Sequence, residues 1–386
     1  MSAPIYLDYQ ASTPLDPEVG AEMRPYLEGW VGNPHSDYIF GWQAASIVED
    51  ARTAVADLIG ADSGEIVITC GATEANNLAL QGLVHSAARQ RDHVVVTAIE
   101  HKCVLASALS LQEHGFHVDV VPVEPNGILD PGRIGRVLSD NTALVSAMLA
   151  NNEIGTLQPI AEIADLCRSR GIILHTDAAQ AVGKIPVDVT ALGVDLLSLS
   201  GHKIYGPQGI GALYISRDCP LALRPLLFGG AQQDGRRAGT VPAMLCAGLA
   251  AACKIVGERM TDDRDHALHL RRVFLDSLRT GFPDFAVNGD LEKRLPGNLN
   301  IRLRGCDADS LLARLRGQLA ASTGSACNSG LIEPSYVLLA LGLTLDEVHS
   351  SIRFGFGRFT TAAEIERAVA ALADAATRPS LQHAAE

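Results

Sequence analysis

VDLLSLSGHKIYGPQGIGALYIS, residues 194–216, sets two short apolar runs on either side of a small-residue turn carrying one histidine and one lysine. The first run, with Leu196, Leu197 and Leu199, is too apolar for a strand with a wet face and reads as a strand buried on both sides. Lys203 follows it directly, among Gly201, Gly206 and Gly209, where a surface lysine would not ordinarily be placed. Open α/β sheets bind their ligands at the carboxyl ends of the strands. The lysine therefore stands where chemistry is expected.

Working outward, the same pattern recurs. EIVIT (65–69), HVVVTAI (93–99), HVDVVPV (117–123), TALVSAMLA (142–150) and IILHTD (172–177) are further short apolar runs. Helical patterns lie between several of them. AASIVEDARTAVADLIG (44–60) puts Ile47, Val48, Ala51, Val55 and Leu58 on one face and stops at Gly60. GATEANNLALQGLVHSAARQ (71–90) and PIAEIADLCRSR (159–170) are two more. This alternation predicts an α/β fold with a mainly parallel sheet covered by helices on both faces. After about residue 262 the character changes to a charged amphipathic helix (264–280), the strands NLNIRLR and SSIRFGF, and an alanine-rich final helix. That reads as a smaller α+β domain. No internal repeat is evident.

Composition narrows the partners. Hydrophobic residues make up 47% of the 386-residue chain and aromatics 5%, which predicts a large aliphatic core. The net charge of −13, without a Lys/Arg run, argues against direct binding to nucleic acid or an anionic membrane. The first residues lack a signal-peptide pattern, and no run of about eighteen apolar residues would span a bilayer. Eight scattered cysteines without CxxC pairs fit reduced thiols and a cytoplasmic location better than disulfides or a zinc site. Most should be buried small hydrophobes. Cys327 differs, because it lies in ASTGSACNSG (321–330), among side chains no larger than Asn.

Three features fit one cofactor. Asp177 ends the strand IILHTD; taken alone it could equally cap a helix. Gly71, Ala72 and Thr73 open a helix whose N–H groups suit a phosphate, although capping alone also explains Thr73. With Lys203 they supply what pyridoxal 5'-phosphate requires: a covalent lysine, an acid for the pyridine nitrogen and a phosphate cradle. There is no GxxxxGK[ST] for a nucleotide.

LDYQASTPLDP, GNPHS, TCGATEANNLAL, EHK, NNEIGTLQPI, HTDAAQAVGK, SGHKIYGPQGIGALYI, AGTVP, TGSACNSGLIEPSYVLLALG and SSIRFGFGRFT together resemble the motifs of cysteine desulfurases of the NifS/IscS type, in the class V aminotransferase superfamily. The resemblance runs from about residue 5 to about residue 375. It implies PLP-dependent transferase fold type I, with a large PLP-binding domain over 15–262. A small domain over 1–14 and 263–386 would carry the cysteine loop. TGSAC followed by EPSYVL is similar to the branch with the longer cysteine loop.

By resemblance, Lys203 carries the cofactor, Asp177 meets the pyridine nitrogen and Gln180 the phenolate oxygen. His101 stacks on the ring and shuttles protons, where otherwise it would read as an ordinary helix-start histidine. Asn152 faces the substrate and cofactor. Ala72, Thr73, Ser200 and His202 surround the phosphate, and Thr240 reaches the phosphate of the other subunit, which implies a homodimer. Arg353 binds the substrate carboxylate, with Asn33 assisting. Cys327 is the nucleophile that takes sulfur from L-cysteine as a persulfide and passes it to an acceptor protein, leaving L-alanine. No resident metal is expected; iron–sulfur ligation by Cys327 belongs to transfer only.

The family serves iron–sulfur assembly, tRNA thiolation and DNA phosphorothioation, and the Dnd-type desulfurase is the specific expectation here. A selenocysteine lyase or another class V PLP lyase is the nearest alternative, and a non-catalytic PLP-binding scaffold is one of a different kind. One loop departs from the family. FGGAQQDGRRAGT has Ala231 for a third glycine and Gln233 where an acid is usual, near Arg236 and Arg237.

Overall fold

The computed structural model describes residues 4–29, 32–82, 91–220, 222–324 and 333–377. The chain enters through the short strand β1 (Ile5–Tyr6), then α1 (Pro17–Glu28) and α2 (Ile39–Ile59). Asp16 caps α1 by accepting the Glu18 N–H at 2.9 Å, with Pro17 in the first turn, where its missing N–H costs nothing. The strands β2 (Ile66–Thr69), β3 (His93–Thr97), β4 (His117–Val121), β5 (Thr142–Ser146), β6 (Ile173–Asp177), β7 (Leu196–Ser200) and β8 (Gly211–Ile215) follow.

These seven form one sheet in the order β2-β8-β7-β6-β5-β3-β4. Pairs from β7 through β4 are parallel, while β8 is antiparallel to both β7 and β2. Two reversals return β2 to the direction of β7. The carboxyl ends of β2, β3, β5, β6 and β7 therefore open on one side. Every residue of β2, β3, β5, β6, β7 and β8 is buried, as strands covered on both faces require. The mainly parallel α/β sheet expected from the sequence is present.

Helices α3 (Ala72–Gln81), α4 (Lys102–Ser110) and α5 (Ile160–Arg168) lie between these strands in sequence. The 39-residue α6 (Ala243–Gly281) then runs from one core to another. Its first half places Cys246, Leu249 and Val256 against the large sheet; its second places Leu270, Phe274 and Leu278 in a separate cluster. The compositional change near residue 262 is thus a change of environment within one helix. That second cluster joins β1, β9 (Ala286–Val287), β10 (Asn298–Arg302), β11 (Leu319–Ala320), β12 (Ser351–Gly355) and α7 (Ala362–Thr377). Phe274 and Phe354 meet there at 4.8 Å between ring centroids.

Among the described residues no helix is long and apolar enough to cross a membrane. Cys167, Cys246 and Cys253 are buried, Cys103, Cys219 and Cys306 half-buried and Cys70 exposed.

Candidate active site

The side where the strands end gathers the charged and polar residues. β6 delivers Asp177, buried, whose Oδ1 accepts the Ala179 N–H at 2.9 Å and whose Oδ2 accepts Asn76 Nδ2–H at 2.7 Å. Asn76 lies one turn into α3, three residues beyond Thr73, so the helix that opens at Gly71 also holds the carboxylate. β7 ends at Ser200, and the turn Gly201–Lys203 projects Lys203 towards the N-terminal segment. There its Nζ donates to the carbonyls of Gln10 (2.6 Å) and Ala11 (2.7 Å).

Gln180 joins the same group. Its Nε2 donates to Gln10 O and its Oε1 accepts from Lys184 Nζ, each at 2.9 Å. Burial, followed by the positive charges of Lys203 and Arg353, lowers the Lys184 pKa to about 7. Burial likewise lowers His202 to about 4, with Lys203 and Lys184 acting in the same direction. His202 Nδ1 is 3.3 Å from Ser12 Oγ.

His101 follows β3 and caps α4, its Nδ1 accepting the Cys103 N–H at 3.2 Å. Burial holds its pKa below the ordinary histidine value in spite of Asp177. The helix-start reading of His101 is what the geometry displays, with the Asp177 charge close enough to act on the ring. After β5 the backbone carbonyl of Asn152 accepts Arg353 Nη1–H at 3.2 Å, while Asn152 Oδ1 is buried without a partner. Arg353 reaches this point from β12 and pairs with Asp8 at 2.8 Å. In this structure the strand arginine is a salt-bridge partner. Its Nε is unpartnered and buried.

The helix at Gly71 begins with φ 148° and no side chain capping its first turn. Only glycine readily adopts that backbone, and a Cβ added there would lie 3.5 Å from Ser200 Oγ. The arrangement brings Ser200 against the first turn, where Ala72 and Thr73 sit. Glu74 in that turn accepts the Cys70 N–H at 2.7 Å and is forked by Arg237 at 2.8 and 3.3 Å. Burial alone would raise the Glu74 pKa; hydrogen bonds from Arg237 and Cys70 outweigh it and hold the carboxyl below its usual range.

The residues present fit a phosphorylated pyridine aldehyde. An uncapped helix start faces Ser200, a buried carboxylate is already oriented by an amide, and a lysine lies beyond the next strand. The buried, unpartnered Asn76 Oδ1 and Asn152 Oδ1 are polar atoms awaiting a donor. Thr240 and Asn33 are exposed, and Asn33 Oδ1 accepts the His35 N–H at 3.0 Å instead of meeting Arg353. Cys327 lies outside the described residues. On either side of 325–332, Glu153 touches both neighbours: its Oε2 accepts Ser335 Oγ–H at 2.5 Å and would lie 2.5 Å from a Cβ at Gly324. Gly324 also has φ 89°, so glycine is required there twice over.

Sequence reasoning missed Asn76, Gln10, Asp8, Lys184 and Glu153. The helical spacing from Thr73 to Asn76 was the one usable signal. Gln233 turns inward and is buried, clamping Ile68 through its side-chain amide.

The description Aminotransferase class-V belongs to the family model that matches residues 5–368. A cysteine desulfurase IscS of Rickettsia bellii is 46% identical over 367 residues, covering 95% of this chain and 89% of that protein. Among solved structures, DndA from Streptomyces lividans superposes with a TM-score of 0.78 at 36% identity, over 92% of this chain and 99% of that one. SspA in complex with cysteine gives a TM-score of 0.82 at 34% identity, over 92% and 99%.

Proposed function

Since the chain belongs to the aminotransferase class-V family and is a cysteine desulfurase, we propose that Cys327 receives the sulfur of L-cysteine while Lys203, Asp177 and Arg353 hold and deprotonate the substrate. The observation that carries this assignment is the convergence of Lys203, Gln180 and Arg353 on the segment from Asp8 to Ala11, from three elements far apart in sequence. Pyridoxal phosphate, when bound, supplies an electron sink for the bonds broken at the substrate's Cα and Cβ.

The chain's own residues do the rest. Ala72, Thr73, Ser200 and His202 hold the phosphate, with N–H donors at the start of α3. Asp177, fixed by Asn76 and the Ala179 N–H, keeps a proton on the pyridine nitrogen. Gln180, its carbonyl oxygen occupied by Lys184 and one N–H given to Gln10 O, has its second N–H for the phenolate oxygen. Arg353 leaves part of its pairing with Asp8 to bind the substrate carboxylate through its planar fork, with Asn33 beside it. Lys203 Nζ takes the Cα proton, and His101 carries protons between substrate and solvent.

The thiolate of Cys327 then attacks the substrate sulfur. A new S–S bond forms, Cβ–Sγ breaks and its electron pair stays on the carbon fragment, which is protonated to L-alanine. Cys327 is left as a persulfide, and an acceptor protein's thiolate removes the terminal sulfur. A homodimer in which Thr240 contacts the other subunit's phosphate completes the site. DndA among the similar structures supports a dedicated acceptor, such as one serving DNA phosphorothioation; the charge of −13 favours delivery through a protein. Cytoplasm is the compartment proposed.

Cys327→Ser tests the reading. The variant should bind the cofactor with its visible absorption unchanged and form no protein persulfide from L-cysteine. Wild-type alanine production by it would exclude Cys327 as the sulfur acceptor.

A further inference from the structure

The far edge of the central sheet holds a cluster that sulfur chemistry does not use. β3 and β4 run parallel with His93 opposite His117, and Asp119, two residues along, shares the face of His117. Asp119 lies against both: its Oδ2 is 3.3 Å from His93 Nε2 and its Oδ1 is 3.3 Å from His117 Nε2. The imidazole rings are 5.1 Å apart between centroids. One ligand atom from each residue lies within 4.8 Å of the other two. Donors bound about 2.0–2.1 Å from a tetrahedral zinc ion stand roughly 3.3 Å apart. Each histidine Nε2 already stands that far from one oxygen of Asp119, His93 from Oδ2 and His117 from Oδ1.

His93 decides the reading. It is only 5% exposed, and its buried Nε2 is without a hydrogen-bond partner although Asp119 Oδ2 lies 3.3 Å away. Its other nitrogen, Nδ1, is 2.9 Å from Thr142 Oγ1. A proton on Nδ1 donated to Thr142 leaves the Nε2 lone pair aimed into the cluster, the arrangement that orients histidine ligands in metal sites. The pairing of β3 with β5 slips between His93 and Val94, and such bulges re-aim side chains.

We propose that His93, His117 and Asp119 bind a divalent transition metal of the zinc class, with a remaining position open to water. Two imidazoles and one carboxylate suit that class better than the hard cations. His117 is 69% exposed at its side chain and free to swing the last distance onto the ion. The ion clips β4, the terminal strand of the sheet among the described residues, to β3. His93 opens β3 at its amino end, about 13 Å along the strand from Thr97 near the active site. Sequence spacing hides the site because the ligands meet across parallel strands, not within one turn.

The test uses the cofactor-loaded full chain after treatment with a chelator, titrated calorimetrically with Zn²⁺ and followed by visible absorption with Co²⁺. One equivalent should bind in the wild type and in Cys327→Ser. His117→Ala and Asp119→Asn, both at partly exposed positions, should each weaken binding more than tenfold without changing cysteine turnover. Zn²⁺ should raise the melting temperature of the wild type but not of His117→Ala. Absence of wild-type binding, equal binding by both variants, or loss of the ion in Cys327→Ser would each overturn the assignment.

Discussion

The side-chain amide of Gln233 pairs with both backbone groups of Ile68: its Oε1 accepts the N–H at 2.7 Å and its Nε2 donates to the carbonyl at 2.8 Å. Ile68 lies on β2, the edge strand of the sheet among the described residues, so the amide takes the place of a further strand there. Its Oε1 also lies 3.4 Å from Arg52 Nη2. A carboxylate could accept from the N–H but would oppose the carbonyl. Gln233→Glu should therefore cost about 1–3 kcal/mol, read as a lower urea midpoint at an unchanged slope. An unchanged midpoint would show that the clamp contributes nothing.

Arg353 has two tasks if it binds substrate, since Asp8 already occupies part of its fork. Lysine keeps the charge but not the paired N–H geometry. Arg353→Lys should raise KM for L-cysteine by roughly 10- to 100-fold, as loss of a charge-assisted hydrogen bond implies, with a smaller change in kcat. Steady-state kinetics decide the matter. A fall in kcat at constant KM would remove Arg353 from carboxylate binding.

What the sequence disclosed follows from range. The strand ending at Ser200 and the lysine after it are legible because apolar run, turn and lysine are contiguous. Asp177 is legible for the same reason. Gln10 is not, since its carbonyl meets Lys203 from 193 residues away and presents no side-chain signal. The change in Gln233 looked like an alteration of loop charge; only the packing against Ile68, 165 residues distant, gives it a backbone to hold. The break expected near residue 262 was compositional, and α6 carries helical backbone straight through it. Cys327 was singled out by its neighbours' small size, a local property, and it lies outside the described residues.

Asn76 holds Asp177 with a donor where an acid would repel it. Asn76→Asp preserves shape and sets two carboxylates against each other, so one must take a proton. The pyridine nitrogen would then lose its fixed anionic partner. Cofactor affinity of the refilled apoprotein should fall at least tenfold near pH 7 in Asn76→Asp, and less in Asn76→Ala, which removes the donor without adding a charge. Equilibrium dialysis with pyridoxal phosphate measures this, and unchanged affinity would mean that the Asn76 bond does not orient Asp177.

Glu153 supplies the pH dependence that is easiest to isolate. Burial raises its pKa to about 7, partly offset by Ser335, Arg353 and Lys102. The folded state therefore holds a proton that the unfolded chain releases near 4.5. The resulting stability is fully present below that lower value and is lost as pH rises through about 7. At 1.36 kcal/mol per unit, the loss is on the order of 3 kcal/mol. Glu153→Gln cannot ionise, so its unfolding free energy should fall less than that of the wild type between pH 5 and 8. The two urea-derived profiles should diverge towards alkaline pH, the variant becoming relatively more stable. Parallel profiles would show that Glu153 has an ordinary pKa, and that its hydrogen bond from Ser335 does not depend on a proton.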